Sequence, residues 1–317
     1  MITPSRRDLV SGLAAALMLP AAVPGAVAAP VADRTGRAAV PGGTVWWRRI
    51  GSGPKTPILL LHGGPGAGHN YLLPLKALAD ERPVIFYDQL GCGRSDSPAD
   101  ESLYTVQRSV DEVDAVRRAL GLDRIVLFGH SWGSMLAIEY LCQDRGAGVE
   151  QLILGGALAS VPQCMAGQQR LIDALPNGGG AKLHALEAAH REASPEYQKL
   201  VNQFYDRHVC RRKPLPPEAA ETFAIVGKSI AYRVMNGPNE FTITGVIKDW
   251  DRRADLGHIK MPTLITTGEY DEVTLDCHET IHQGVAGSEL QVLDGCSHMT
   301  MSEQPKEYVT LLRRFLA

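Results

Sequence analysis

The chain has 317 residues, of which 44% are hydrophobic and 21% are charged, and its formal net charge at pH 7 is −3. This length exceeds the usual size of a single hydrophobic core, so we expect one core with a sizeable insertion. The charge lacks the basic excess that DNA-binding and RNA-binding proteins carry, and no nucleic-acid partner is expected.

The N-terminal residues have the pattern of an export signal. Arg6 and Arg7 precede a stretch rich in Leu and Ala, and a small-x-small site follows at residues 26–28. The adjacent arginines are typical of the twin-arginine type. We therefore assign residues 1–29 to an export signal, expect the mature protein in the periplasm or outside the cell, and expect no stable membrane insertion after cleavage. An uncleaved membrane anchor is the alternative, although the apolar run is short and two prolines interrupt it.

Six cysteines follow the predicted signal. An oxidising compartment would permit disulfide bonds between some of them, although the sequence alone does not pair them. Their irregular spacing gives no zinc-binding pattern, and buried thiols are the expectation for most of them. The six are Cys92, Cys142, Cys164, Cys210, Cys277 and Cys296.

Short runs rich in β-forming residues alternate with helical patterns, which predicts an α/β fold with a mostly parallel sheet and helices on both faces. Apolar residues recur every three or four positions after the possible cap Thr105, and again from Tyr308 to Phe315, so both segments are predicted helices. The predicted strands are 45–50, 58–61, 84–87, 125–128, 152–154, 264–267 and 290–293.

The alternation stops between about residues 160 and 255. This stretch is helical in pattern, and runs of Gly or Pro near residues 177–180 and 213–217 break it. We interpret 160–255 as a helical cap inserted into a core formed by residues 30–159 and 256–317.

Gly129-His130-Ser131-Trp132-Gly133 lies between a predicted strand and a helical pattern. In such a tight strand-to-helix turn, flanking glycines are required, and the serine hydroxyl is raised above the sheet near the positive end of the helix. Ser131 is therefore predicted to be a nucleophile. A glycine-rich turn with an incidental serine is the alternative.

A serine hydroxyl needs a base to accept its proton, and that base needs a carboxylate to orient it. With this type of turn, the acid and then the histidine follow the serine along the chain. Asp271 comes just after the predicted strand 264–267, and His298 lies in the small-residue loop after 290–293. The predicted catalytic triad is Ser131, Asp271 and His298. The competing acids, which fit less well, are Glu269, Glu272, Asp276 and Asp294, and the competing bases are His278 and His282.

Acyl transfer also creates an oxyanion, which backbone N–H groups stabilise. The segment His62-Gly63-Gly64-Pro65-Gly66 follows the predicted strand 58–61, and its glycines permit a close approach to a substrate. The N–H groups of Gly64 and Trp132 are the predicted donors. A simple Gly-Pro turn is the alternative.

From about Gly43 to the C-terminus, the chain resembles the proline iminopeptidase family of α/β-hydrolases, which includes the tricorn-interacting aminopeptidase and bacterial amino-acid amidases. Three of the motifs that carry the resemblance are shared with related hydrolases, and the last two are particular to this branch. The motifs are residues 62–66, 87–95, 129–134, 235–241 and 268–274. The resemblance implies the α/β-hydrolase fold.

The resemblance also implies how an amine is recognised. In the family, acidic residues of the cap and of the loop after the catalytic Asp bind the α-amine of the substrate, and the matching positions are Glu240 and Glu272. An ammonium group in a partly dry site needs opposite charge, and the same carboxylates exclude substrates with a blocked amine. Two solvated glutamates on loops are the alternative.

The expected function is hydrolysis of N-terminal amino-acyl bonds by an acyl-enzyme mechanism, on small peptides or amino-acid amides, with proline or another small apolar residue preferred. No metal or organic cofactor is expected, because the nucleophile comes from the protein. An esterase or lactonase of small acyl groups is the first alternative, and a catalytically silent binding protein is a remote one. Epoxide hydrolases and haloalkane dehalogenases use a carboxylate where this chain has Ser131. The oligomeric state stays open.

Overall fold

A computed structural model describes residues 32–317, and the predicted export signal lies outside them. The described residues contain an eight-stranded sheet. Its strands are β1 Asp33–Val40, β2 Gly43–Ile50, β3 Ile58–Leu61, β4 Val84–Tyr87, β5 Ile125–His130, β6 Val149–Gly155, β7 Thr263–Gly268 and β8 Glu289–Leu293. Their order in the sheet is β1-β2-β4-β3-β5-β6-β7-β8. The first two neighbouring pairs in this order are antiparallel and the others are parallel, which confirms the predicted α/β fold.

Strand β1 was not predicted from the sequence. β1 forms backbone hydrogen bonds with β2 along its whole length, yet most of its side chains are exposed. A strand at the edge of a sheet that buries few side chains has no alternating apolar pattern, and strands are recognised in a sequence by that pattern. β3 and β4, by contrast, have the predicted bounds, because their side chains are buried on both faces of the sheet.

Ten α-helices accompany the sheet within residues 32–317. They are α1 Val106–Ala119, α2 Trp132–Cys142, α3 Val161–Asp173, α4 Gly179–Ala188, α5 Pro195–His208, α6 Pro217–Val226, α7 Ile230–Met235, α8 Leu275–Gly284, α9 Thr300–Glu303 and α10 Pro305–Phe315. The Thr105 side chain caps α1 by accepting a hydrogen bond from the N–H of Arg108 at 3.1 Å. Helices α3 to α7 lie between β6 and β7, in the stretch for which the sequence predicts a cap.

The sheet separates two apolar layers. Successive residues of β3 alternate between them: Leu59 and Leu61 pack in one layer, and Ile58 and Leu60 pack in the other. A third, smaller cluster lies among α3, α4 and α5, where Phe204 is fully buried. The helices between β6 and β7 therefore have an apolar core of their own.

The six cysteines are free thiols, and all except Cys142 are buried. None of the helices within residues 32–317 has the length and apolar character needed to cross a membrane. In the same part of the chain, no group of three or more His, Cys, Asp or Glu side chains is arranged to hold a metal ion.

Candidate active site

Ser131 occupies a strained turn between β5 and α2. Its φ of 55° and ψ of −125° are rare for a residue with a side chain. A Cβ atom on Gly129 would lie 2.3 Å from the carbonyl oxygen of Gly133, and one on Gly133 would lie 2.0 Å from that of Leu61. Both glycines of the motif are therefore required by the packing of the turn, which presents Ser131 at the carboxyl edge of the parallel strands.

Asp271 and His298 meet at the same edge of the sheet, beyond the ends of β7 and β8. His298 Nδ1 lies 2.7 Å from Asp271 Oδ1, and this carboxylate also accepts hydrogen bonds from the N–H of Val273 and the hydroxyl of Thr267. Burial raises the pKa of Asp271, but the charge of His298 and the hydrogen bonds from His298 and Val273 outweigh it, so the pKa is lowered. Asp271 is thus placed to fix the proton of His298 on Nδ1, leaving Nε2 free to accept one.

Ser131 and His298 line one cavity, although within residues 32–317 no hydrogen bond joins the Ser131 hydroxyl to the imidazole. The His298 ring packs on the ring of His130, with centroids 4.7 Å apart, and His130 is the neighbour of Ser131. Bonds between a nucleophile and its base are often long without substrate and shorten when it binds. The arrangement brings the predicted nucleophile and base into one site.

Gly156 provides the room for the imidazole. Its φ is +50°, and a Cβ atom there would lie 2.6 Å from His298 Cε1 and 2.7 Å from Nδ1. Gly156 belongs to none of the motifs described above. Its only signal is a second glycine directly after Gly155, at the end of a strand beside the nucleophile strand.

The charge around His298 is unusual. Burial lowers the pKa of the imidazole, but the carboxylates of Asp271, Glu272 and Glu240 together raise it to about 9. His298 Nε2 lies 3.7 Å from Glu272 Oε1. Two carboxylates besides Asp271 thus act on the ring and favour its protonated form.

Glu240 and Glu272 both line the cavity that contains Ser131. Burial raises the pKa of Glu272 well above its usual value, and the nearby charge of Glu240 adds to the effect. Glu272 Oε2 is buried and has no hydrogen-bond partner among the described residues. Glu240 Oε1 accepts a hydrogen bond from the Tyr232 hydroxyl at 2.8 Å. Burial raises the pKa of Glu240 too. The buried Glu272, with one unpaired oxygen, and the half-buried Glu240 together form a place where a ligand cation would bind.

Two backbone N–H groups next to Ser131 are free to donate. Trp132 is the first residue of α2, so its N–H has no partner within the helix. The N–H of Gly64 has no acceptor among residues 32–317. Gly64 has a φ of 113°, and a Cβ atom there would lie 2.5 Å from the N of Gly66, so only glycine fits. Both residues line a second cavity together with Ser131.

A buried chain of hydrogen bonds connects the loop of Gly64 to His298. The N–H of Gly63 donates to the Tyr71 hydroxyl at 2.7 Å, and that hydroxyl lies 2.9 Å from His130 Nδ1. His130 Nε2 lies 2.9 Å from the carbonyl oxygen of His298, which only accepts, so Nε2 carries the proton and Tyr71 donates to Nδ1. Burial and the charge of His298 lower the pKa of His130 to about 3, and the ring is therefore neutral.

Of the competing candidates, Glu272 alone lies in the cavity of Ser131, and the others are exposed or have partners elsewhere. His278 Nε2 accepts a hydrogen bond from the N–H of Ala157 at 2.9 Å, which makes this buried ring a support between α8 and the segment after β6. His282 is hydrogen-bonded to the hydroxyl of Ser288, and Asp276 forms a salt bridge with Arg170. Glu269 is exposed and accepts from the N–H of Gly295.

These features define a protein of the α/β-hydrolase class. Residues 56–305 match the family described as the alpha/beta hydrolase fold. Two solved structures have a closely similar fold. The structure of VinJ has a TM-score of 0.85 and 35% sequence identity, and the match covers 89% of this chain and 98% of that one. The structure of a proline iminopeptidase of Mycobacterium smegmatis has a TM-score of 0.84 and 33% sequence identity, and the match covers 89% of this chain and 97% of that one.

Relatives of known name narrow the class. A proline iminopeptidase of Saccharolobus solfataricus is 42% identical over 83% of this chain and 86% of its own length, and one of Thermoplasma volcanium is 43% identical over 83% and 89%. The chain therefore belongs to the proline iminopeptidase family of α/β-hydrolases, as its motifs predicted, and it is a hydrolase.

Proposed function

We propose that this hydrolase is a serine aminopeptidase that removes the N-terminal residue from small peptides or amino-acid amides. The observation that carries the proposal is the pair of carboxylates beside the nucleophile, since Glu272 Oε2 is buried without a partner and Glu240 faces the same cavity. A buried, unpaired carboxylate is costly unless a ligand supplies a cation or a donor. The substrate α-ammonium would supply both. Relatives named proline iminopeptidases agree with this function.

The proposed reaction begins when the Ser131 hydroxyl attacks the carbonyl carbon of the first residue. His298 Nε2 takes the hydroxyl proton, and Asp271 stabilises the resulting imidazolium. The N–H groups of Gly64 and Trp132 stabilise the oxyanion. When the tetrahedral intermediate collapses, His298 passes its proton to the leaving nitrogen. A water molecule, deprotonated by His298, then attacks the acyl ester and releases the amino acid.

Amine binding and proton transfer are linked in this proposal. The pKa of His298 is about 9 because carboxylates surround the ring, so the unoccupied site holds a poor base. An ammonium bound between Glu240 and Glu272 offsets their charge and lowers the pKa of His298 toward neutrality. A substrate with a free amine would therefore convert His298 into a base, whereas an N-acetylated one would not.

A panel of amino-acyl 4-nitroanilides and aryl esters, each with a free and an acetylated amine, tests this function. For the wild type we expect kcat/KM to favour the free amine by about 100-fold or more, as for a buried charge pair. Glu240→Gln and Glu272→Gln should reduce this preference, while Glu269→Gln, an exposed glutamate outside the cavity, should keep it. Equal rates for free and blocked amines would contradict amine recognition, and hydrolysis of esters alone would assign an esterase.

We further propose that residues 160–255 act as a cap over the site. Thr222, Phe223 and Val226 of α6 line the cavity of Ser131, and Glu240 comes from the same part of the chain.

Residues 1–29 are proposed to direct export by a twin-arginine route, because they contain the adjacent arginines Arg6 and Arg7. Replacing both arginines with lysine and following the protein by cell fractionation tests the route: an unchanged distribution would argue against it.

A further inference from the structure

Two cavities meet at Ser131. Both are lined by Ser131, Gly64, Glu240 and Glu272. The first is also lined by His298. The second extends past Trp132 toward α3 and does not include His298.

The proposed reaction assigns a different part of the substrate to each cavity, and this step rests on the proposed aminopeptidase function. The leaving nitrogen must receive a proton from His298, so the remainder of the substrate lies in the first cavity. The second cavity contains both oxyanion donors and the amine-binding glutamates but lies away from the base. It therefore receives the side chain of the residue that is released.

Besides Ser131 and the two glutamates, the mostly apolar wall of the second cavity has two polar side chains, Gln168 and Asn236, and Asn236 already donates a hydrogen bond to the carbonyl oxygen of Asn239. Gln168, on α3, is 3% exposed and lines this cavity. Its Oε1 is buried without a hydrogen-bond partner, and its amide nitrogen forms no hydrogen bond within residues 32–317. Gln163 on the same helix also has a buried Oε1 without a partner, but its amide nitrogen donates to Thr280 and to the backbone of Asp276. The apolar residues of the wall are Met135, Leu158, Val161, Ile243, Ile247 and Val273.

We propose that Gln168 is a specificity-determining residue that forms a hydrogen bond with a polar, uncharged side chain of the N-terminal residue. An unpaired buried amide lowers stability until a ligand supplies its partner. A site with such a group discriminates strongly against a substrate of the same shape that lacks the partner atom. The preferred residues are those with a hydroxyl or carboxamide of modest size, among them threonine, asparagine and a hydroxylated proline, while the apolar wall disfavours charged side chains.

Matched pairs of 4-nitroanilides test the inference at nearly constant volume: threonine against valine, asparagine against leucine, and 4-hydroxyproline against proline. In the wild type we expect kcat/KM for threonine to exceed that for valine by about tenfold. Gln168→Met, which keeps the length but removes the amide, should bring this ratio to about one or below. Gln169→Met is the matched control, because Gln169 is the exposed neighbour on α3 and should leave the ratio unchanged.

A threonine-to-valine ratio that is the same in the wild type and in Gln168→Met would overturn the inference, even if both hydrolyse anilides well. Failure of the wild type to hydrolyse any free-amine anilide would instead refute the aminopeptidase function. Should Gln168→Met not fold, competitive inhibition of the wild type by the free amino acids gives the answer. Threonine should inhibit at a concentration about tenfold lower than valine, and equal or stronger inhibition by valine would contradict the role of Gln168.

Discussion

Replacing Gly156 with alanine should inactivate the protein without unfolding it. The new Cβ atom would lie 2.6 Å from His298 Cε1, whereas ordinary contacts begin near 3.4 Å. The imidazole must therefore move by about 0.8 Å, or the backbone must shift. Either movement disturbs the 2.7 Å hydrogen bond between His298 and Asp271. Misplacement of a reacting group by about 1 Å reduces rates by about 100-fold, and we expect kcat/KM to fall by that factor.

A matched control separates this clash from backbone strain. Gly121 also has a positive φ, +62°, but a Cβ atom there meets nothing within 4 Å. Alanine at either position should lower the free energy of unfolding by about 1–2 kcal/mol, the penalty for a left-handed residue. Only Gly156→Ala should lose activity toward an amino-acyl 4-nitroanilide.

The assay combines urea unfolding with steady-state kinetics on both variants. A folded Gly156→Ala protein with the activity of Gly121→Ala would refute the argument. In that case the position of the His298 ring would not limit the reaction, and its assignment as the base would be in doubt.

Three further predictions concern the buried groups of the site. Tyr71→Phe leaves the N–H of Gly63 without an acceptor, so the free energy of unfolding in urea should fall by about 1–3 kcal/mol; an unchanged value would mean that this bond does not matter. The folded pKa of His130 is about 3 and its usual value is 6.5, so the unfolded state binds more protons between these pH values. The free energy of unfolding should therefore fall as the pH falls, by about 1.4 kcal/mol per pH unit for this residue. Urea unfolding at pH 6, 5 and 4 should show a weaker dependence of this free energy on pH for His130→Asn than for the wild type. The same dependence in both proteins would contradict a neutral His130. Glu272→Gln removes a carboxylate that raises the pKa of His298. The loss of kcat/KM at acid pH, measured with an uncharged aryl ester, should therefore set in at a lower pH in this variant than in the wild type. The same pH profile in both proteins would show that Glu272 carries no charge in the free protein.

The parts of the site that follow from sequence are those tied to strand ends. Apolar strands could be recognised, and a turn with two glycines around Ser131 indicated which edge of the sheet carries the chemistry. The loops after the last two strands had to reach that edge, so Asp271 and His298 could be expected to meet, and their 2.7 Å contact agrees with that expectation.

Other parts could not be predicted, because they depend on packing between distant segments. Tyr71 lies in a 3-10 helix, Asn70–Asp80, and belongs to no motif, yet it joins Gly63 to His130. Gly156 is needed only because the His298 ring approaches it in space. Gln168 belongs to an amphipathic helix on which a polar residue would ordinarily face solvent. The raised pKa of His298 results from carboxylates of two distant segments, the loop of Asp271 and Glu272 and the segment of Glu240.

Reaction with a fluorophosphonate, followed by mass spectrometry of the labelled peptide, tests most directly whether Ser131 is activated by His298. The wild type should carry one phosphonyl group on Ser131, His298→Ala should react at least about 100-fold more slowly, and Ser131→Ala should not react there at all. A label on another residue, or an equal rate of labelling with and without the imidazole, would contradict the mechanism.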